Sequence, residues 1–234
     1  DVPVINMQCD VDHPCQTLAD LMTIREEFGK DLSELKIAVS WAYAPSYVKP
    51  MSVPQGLIML MSRYGMNVTL AHPPEYTLMD DTMRIARENT ERSGGRFEVV
   101  GSMEEAFEDA DIVYPKSWGV ESLYGKPEEA MKVAQQYRDW ICDEAMMARA
   151  KERAIYMHCL PADRNYEVTD AVIDGPQSIV FDEAENRLHA QKGLLWWLYE
   201  QAGRCCFTNP RPLPIVSRRL SMELTWIRSL HAPG

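Results

Sequence analysis

"KIAVSWAYAPSYVKPMSVPQGLIMLMSRYGMNVTLAHP", residues 36–73, sets the architecture. Its two ends, "KIAVSWAY" (36–43) and "NVTLAHP" (67–73), are short apolar runs rich in β-branched residues. They do not alternate with polar residues, which is the pattern of strands covered on both faces. Between them "SVPQGLIMLMSRYG" has a helical pattern and stops at a glycine. Strand, helix and strand in that order make a βαβ unit with its two strands parallel.

The same alternation continues down the chain. "RFEVVG" (96–101), "DIVYPKS" (111–117), "AIYMHCL" (154–160) and "SIVFDE" (178–183) are predicted strands. Helical patterns fall between or beside them in "DDTMRIARENTERSG", "SMEEAFEDA", "DEAMMARAKE" and "VTDAVID", with Asp80, Ser102, Asp143 and Thr169 as predicted N-caps. The expectation over 31–183 is therefore a doubly wound parallel sheet of the α/β class. Two more helices flank it, at 13–29 and 184–201. In the second, Leu188, Leu195, Leu198, Trp196 and Trp197 present more apolar surface than one sheet face needs, so a further packing partner is expected. Residues 203–234 hold four prolines, five arginines and no clean periodicity, and read as an atypical tail, foreign or disordered.

Composition narrows the function. The chain has 234 residues, 46% of them hydrophobic and 25% charged, enough for a sizeable core. A formal net charge of -11 argues against binding nucleic acid through phosphate contacts. No apolar run reaches the ~18 residues of a membrane span, and the first ten residues lack the basic start and apolar core of a signal peptide. Six cysteines at 9, 15, 142, 159, 205 and 206 show no CxxC spacing, which points to a reducing cytoplasm rather than a disulfide scaffold.

Ligands in open α/β sheets bind at the carboxyl ends of the strands. Here those ends carry Trp41, His72, Lys116, Ser117, Trp118, His158, Cys159 and Glu183. No GxGxxG, GxxxxGK[ST] or GxSxG follows any strand, so dinucleotide, Walker-type and hydrolase-elbow readings fail. No His or Cys pair falls at helical or knuckle spacing, so the signal for metal ligation is weak. His13 and Gln16, three apart, share a face at a helix start, where free amide groups suit a small oxygen-rich anion. Taken singly, His13 reads as a solvated cap, Cys159 as a buried strand cysteine and Arg187 as half of a surface ion pair.

Together they read differently. "HPCQ" (13–16), "HCLP" (158–161) and "ENRLHAQK" (185–192), in that order and spacing, resemble the signatures of the aspartate/ornithine carbamoyltransferase superfamily. The resemblance covers roughly residues 3–201. It implies two α/β domains bridged by two helices, the first binding carbamoyl phosphate and the second the amine that is carbamoylated, with no metal or organic cofactor. This chain looks like the end of the first domain with one bridging helix (1–30), the amine domain (31–183) and the second bridging helix (184–202). The family's phosphate-gripping S-T-R-T loop is not in this sequence.

By the match, His13, Pro14, Cys15, Gln16, Cys159, Leu160 and Arg187 would surround carbamoyl phosphate, with His13, Cys159 and Arg187 in catalytic roles. His158 would orient the turn. Trp41, Lys116, Ser117, Trp118 and Leu160 would face the amine, although loop packing is the alternative for the tryptophans. "WAYAPSYVKP" and "PKSWG" are similar to the knotted branch of the family, in which a loop (here about 43–54) threads another (about 116–140). "HCLPAD" most resembles its group of unassigned amine substrate. The N-acetyl- and N-succinylornithine carbamoyltransferases are the alternative within the branch. In them a lysine faces the substrate carboxylate, for which Lys116, Lys126 and Lys132 are candidates. The acetylornithine type has a further lysine where this chain has Glu167. The resemblance also implies a homotrimer. A reading of another class treats the chain as an inactive fragment or regulatory α/β module.

Overall fold

The structure is a computed structural model describing residues 3–45 and 49–206, the last six as backbone only. Five parallel strands form one sheet in the order β3-β2-β1-β4-β5. They are β1 (Lys36–Trp41), β2 (Asn67–Ala71), β3 (Arg96–Val100), β4 (Ile112–Lys116) and β5 (Ile155–Tyr156). The central strand β1 is buried from Ile37 to Trp41, and β4 is buried throughout, as their unbroken apolar character requires. Order reverses between β1 and β4, so a crevice opens at the carboxyl ends of these two strands.

Helices cover both faces. The α1 helix (Pro14–Phe28), α2 (Ser52–Arg63) and α3 (Asp80–Ser93) build on one face, where Leu21, Ile24, Leu57, Ile58 and Met61 meet Val39, Leu70 and Tyr114. On the other, α4 (Met103–Phe107), α6 (Glu144–Met147) and α7 (Asp170–Ile173) pack Phe107, Met147 and Ile173 around Ala38, Val113 and Tyr156. The α5 helix (Pro127–Ala134) stands inside the segment expected to be a loop at 116–140. Ser102, Asp143 and Thr169 cap their helices through side-chain oxygens, as expected. Asp80 does not. Met79 takes the cap position, and its amide is satisfied by Gln55 Oε1 at 3.0 Å, so a tertiary bond replaces the local one.

The sixth predicted strand is a helix start. Ser178 makes a single bridge to Tyr156, and α8 (Val180–Cys206) begins two residues later. Val180, Glu183, Asn186 and Ala190 are buried at helical spacing, which a run as short as "SIVF" cannot reveal. The bridging helices pack on each other along a polar seam. Gln16, Asp20 and Thr23, on one face of α1, meet Glu183 and Asn186 on α8; Asn186 Nδ2 donates to Thr23 Oγ1 (2.9 Å) and Glu26 Oε2 (2.7 Å). Gly56 lets α2 approach this unit: a Cβ there would lie 2.5 Å from Asp12 Oδ1 and 2.6 Å from Thr17 Cγ2. The outer face of α8 leaves Phe181, Leu188, Leu195 and Tyr199 exposed, in line with the expected need for a further partner.

The loops after β1 and β4 are joined by backbone bonds: Ala42 N to Lys116 O, Tyr43 N to Trp140 O and Gly119 N to Lys49 O. Residues 46–48 of the expected threaded loop, and 207–234 of the tail, lie outside the described residues. Among the described residues no helix is long and apolar enough to cross a membrane.

Candidate active site

Three segments meet at the carboxyl edge beside β4. The start of α1 brings His13 and Gln16. The first two turns of α8 bring Glu183 and Arg187, and the turn after β5 brings His158 to Pro161. Glu183 holds them together. It is fully buried, and its Oε1 accepts from Gln16 Nε2 (3.1 Å) and Tyr114 OH (2.9 Å) while Oε2 accepts from His158 N (2.8 Å). Gln16 Nε2 also donates to Asp20 Oδ1 at 2.7 Å. Both amide hydrogens of Gln16 are thereby used, and its Oε1 is left without a donor.

The His158 ring fixes the turn. Its Nδ1 accepts from Leu160 N at 2.9 Å, and the ring stacks on Tyr114 with centroids 6.5 Å apart. With Nδ1 an acceptor, the proton sits on Nε2, which faces Glu167 Oε2 at 3.6 Å. Burial keeps His158 below its usual pKa and hence neutral near pH 7. Leu160 has φ 49°, in the left-handed region that a branched side chain rarely adopts. Such backbone persists only where surrounding bonds hold it.

Electrostatics separate the candidates. Burial pushes the Cys159 thiol up to about 12, so near neutrality it is a thiol and not a nucleophilic thiolate. His13 is held below its usual value by burial and by the Arg187 guanidinium, which keeps its imidazole neutral; its Nδ1 has no partner. Arg187 is half-buried, its Nε lacks an acceptor, and no ion pair among the described residues uses it. The sequence reading of Arg187 as half of a surface pair therefore fails: its i−4 neighbour Glu183 spends its oxygens on other donors. A direct check follows from the thiols. Alkylation with iodoacetamide at neutral pH should label the exposed Cys9, whose thiol hydrogen bonds pull down, well before Cys142 or Cys159. Early labelling of Cys159 in the peptide map would contradict the assignment of a protonated thiol.

A second cluster lies next to the first. Glu167, fully buried, accepts from Ser117 N (2.6 Å) with Oε1 and from Asp163 N (2.7 Å) and Lys49 Nζ (2.9 Å) with Oε2. Lys116 Nζ stands 3.6 Å from Oε1 and donates to Ser117 O at 3.1 Å. Burial alone would raise this carboxyl, but His158, Lys116 and Lys49 hold it far below the usual range. Of the three candidate lysines, only Lys116 reaches this region; Lys126 and Lys132 are exposed around α5. Trp41 and Trp118 are buried and paired, Trp41 Nε1 to Trp118 O (3.0 Å) and Trp118 Nε1 to Tyr76 O (2.9 Å). That is the packing alternative for both rings. Sequence reasoning passed over Asp20 and Lys49. Asp20 could have been found, since it lies four residues from Gln16 on the same helix face.

Pro14 and Cys15 lie in the first turn of α1, the Cys15 thiol reaching Met7 Sδ at 3.8 Å. Among the described residues, no three His, Cys, Asp or Glu side chains are grouped to hold a metal ion.

The family model described as the Asp/Orn binding domain of aspartate/ornithine carbamoyltransferase matches residues 49–198, and that of the carbamoyl-P binding domain matches residues 1–26. A curated relative, the putative carbamoyltransferase YgeW of Escherichia coli (strain K12), is 47% identical over 206 residues, covering 77% of this chain and 52% of its own. N-acetylornithine carbamoyltransferase of Xanthomonas axonopodis pv. citri is 42% identical over 206 residues, covering 86% and 59%. The crystal structure of acetylornithine transcarbamylase complexed with acetylcitrulline superposes with a TM-score of 0.80 at 41% identity, over 84% of this chain and 59% of that one. The chain thus spans about half the length of the curated relatives it matches.

Proposed function

The chain belongs to the aspartate/ornithine carbamoyltransferase family, and we propose that its protein transfers the carbamoyl group of carbamoyl phosphate to an amino group of an amino-acid-like substrate. The observation that carries the reading is Arg187: a half-buried guanidinium with no ion pair among the described residues, close enough to His13 to shift it, while Arg187 Nε, His13 Nδ1 and Gln16 Oε1 are all buried without a partner. An uncharged amine attacks the carbonyl carbon and phosphate leaves, so the work is orientation and stabilisation of the developing oxyanion. Arg187 and the neutral His13 donate to the carbamoyl oxygen. The orphan Gln16 Oε1 and the Leu160 carbonyl accept from the carbamoyl NH2. Cys159, as a thiol, lines that group without attacking it. In this reading residues 1–30 and 184–202 bridge two domains, 31–183 bind the amine, and the complete protein is a homotrimer with a threaded loop.

For the amine, Glu167 argues against an acetylornithine substrate. With Asp163 it balances the charges of Lys49 and Lys116 instead of adding a third positive group. The observation favouring the acyl-ornithine alternative is the 41–42% identity to acetylornithine enzymes over 84–86% of the chain. Carbamoylation assays of the full-length protein with ornithine, acetylornithine and succinylornithine decide between them. We expect none of the acylated substrates to turn over at an ordinary kcat/KM of about 10⁴ M⁻¹s⁻¹ or more. Turnover of either at that rate would overturn the unassigned-amine reading, while absence of carbamoyl transfer to any amine, with no carbamoyl phosphate binding, would overturn the function itself.

A further inference from the structure

Under Gln16 and Arg187 lie two carboxyls, Asp20 of α1 and Glu183 of α8, both with no exposed surface. Neither makes an ion pair with any described cation, yet they face each other within hydrogen-bonding reach. Every donor around them is neutral: Gln16 Nε2 from α1, Tyr114 OH from β4 and His158 N from the turn after β5. Asp20 Oδ2 has no donor at all. Two bare carboxylates are costly in such a site, because the Arg187 guanidinium only partly offsets their repulsion and lost hydration. One proton between them resolves both problems and supplies Asp20 with the missing bond.

We propose that Asp20 and Glu183 form a proton-sharing positioning pair for the carbamoyl site, holding Gln16, Tyr114 and the His158 turn while leaving Arg187 free for substrate. The inference rests on the carbamoyl site assigned above. The proton resides on Asp20, whose burial and proximity to Glu183 push it well above the usual range; burial raises Glu183 to about 7. Arg187 is the nearest cation and lies one turn beyond Glu183 on the same face of α8. With one charge below it, delocalised over three neutral donors, the guanidinium keeps its open-side donors for the carbamoyl oxygen. When the proton leaves, a second buried negative charge appears beneath it and draws it inward. The other facing groups, His13, His158 and the Cys159 thiol, are neutral near pH 7 and cannot offset that charge. Asp20 and Glu183 touch no substrate; they act through Gln16 and Arg187.

Two measurements on the full-length protein test this. Infrared spectra in D2O should show a protonated-carboxyl band that persists at about pH 8, above the value of about 7 for Glu183, fades as pH is raised further and is absent at about pH 8 from Asp20→Asn. Calorimetric titration with carbamoyl phosphate should show wild-type affinity falling about tenfold per pH unit above that point, the slope for uptake of one proton on binding. In Asp20→Asn, whose amide mimics the protonated partner, that fall should flatten. Absence of the band in the wild type overturns the pair, and this readout survives should the variant fold poorly. A wild-type band together with an unchanged slope in Asp20→Asn overturns the coupling to Arg187. Failure of the carbamoyl-site reading is recognised separately: no binding by the wild type at any pH, with the band still present, overturns that coupling with it.

Discussion

Arg187→Ala in the full-length enzyme is expected to lower kcat by about 10²–10³, the range for losing one preorganised oxyanion donor. The guanidinium is preorganised because its own chain offers it no competing acceptor: the Nε is orphaned and Glu183, the carboxylate one turn before it, is occupied by three donors. A donor without a ground-state partner is not reorganised when negative charge develops on the carbamoyl oxygen, so its contribution appears mainly in the transition state. Arg187→Lys should recover only part of the rate, since one ammonium cannot reproduce a planar fork of donors. Steady-state kinetics with saturating carbamoyl phosphate measure this, and a drop of less than about threefold would remove Arg187 from the chemistry.

The second large effect is on stability. Glu167→Ala is expected to destabilise the protein by about 3–5 kcal/mol, because it strands the buried charge of Lys116 and the amides of Ser117 and Asp163 and leaves Lys49 with Asp163 alone. The pH dependence has a definite sign. Glu167 is held below its ordinary 4.5 in the folded state, so its contribution is present above that value and is lost as pH falls below it. Asp20 and Glu183 act oppositely: raised in the fold, they stabilise it in acid and lose that contribution as pH rises through their raised folded values, about 7 for Glu183. Urea denaturation across this range should therefore show Glu167→Gln losing the acid-side slope while Asp20→Asn loses the neutral-side slope. Parallel profiles for Glu167→Gln and the wild type would refute the buried-carboxylate assignment.

Much of the sheet was legible in the chain, because strands covered on both faces carry apolar runs, such as Ile37–Val39 in "KIAVSW" and Ile112–Tyr114 in "DIVY". The misread strand at 178–183 shows the limit. Four apolar residues satisfy a buried strand and a helix start equally, and Glu183 gives no local sign that it belongs under Gln16. Asp80 failed as a cap for a related reason: the helix already starts at it, after a Met79 whose amide is held by Gln55, distant in sequence. Of the site, His13, Gln16, His158 and Arg187 carried recognisable signatures. Lys49 did not, since nothing near it in sequence shows that its ammonium reaches Glu167 and Asp163, the latter at 2.7 Å. Long-range charge pairing leaves no periodic trace.

The helix that replaced the sixth strand also settles how the sheet ends. An outermost strand offers unpaired amides and carbonyls to any other chain and invites edge-to-edge aggregation. On β5 that invitation is withdrawn at Tyr156, whose N–H is taken by Gln177 O (2.8 Å) and whose carbonyl is taken by Ile179 N (3.1 Å), the residue just before α8. At the opposite border, β3 turns Arg96 and Glu98 outward. One margin is sealed by backbone and the other guarded by charge.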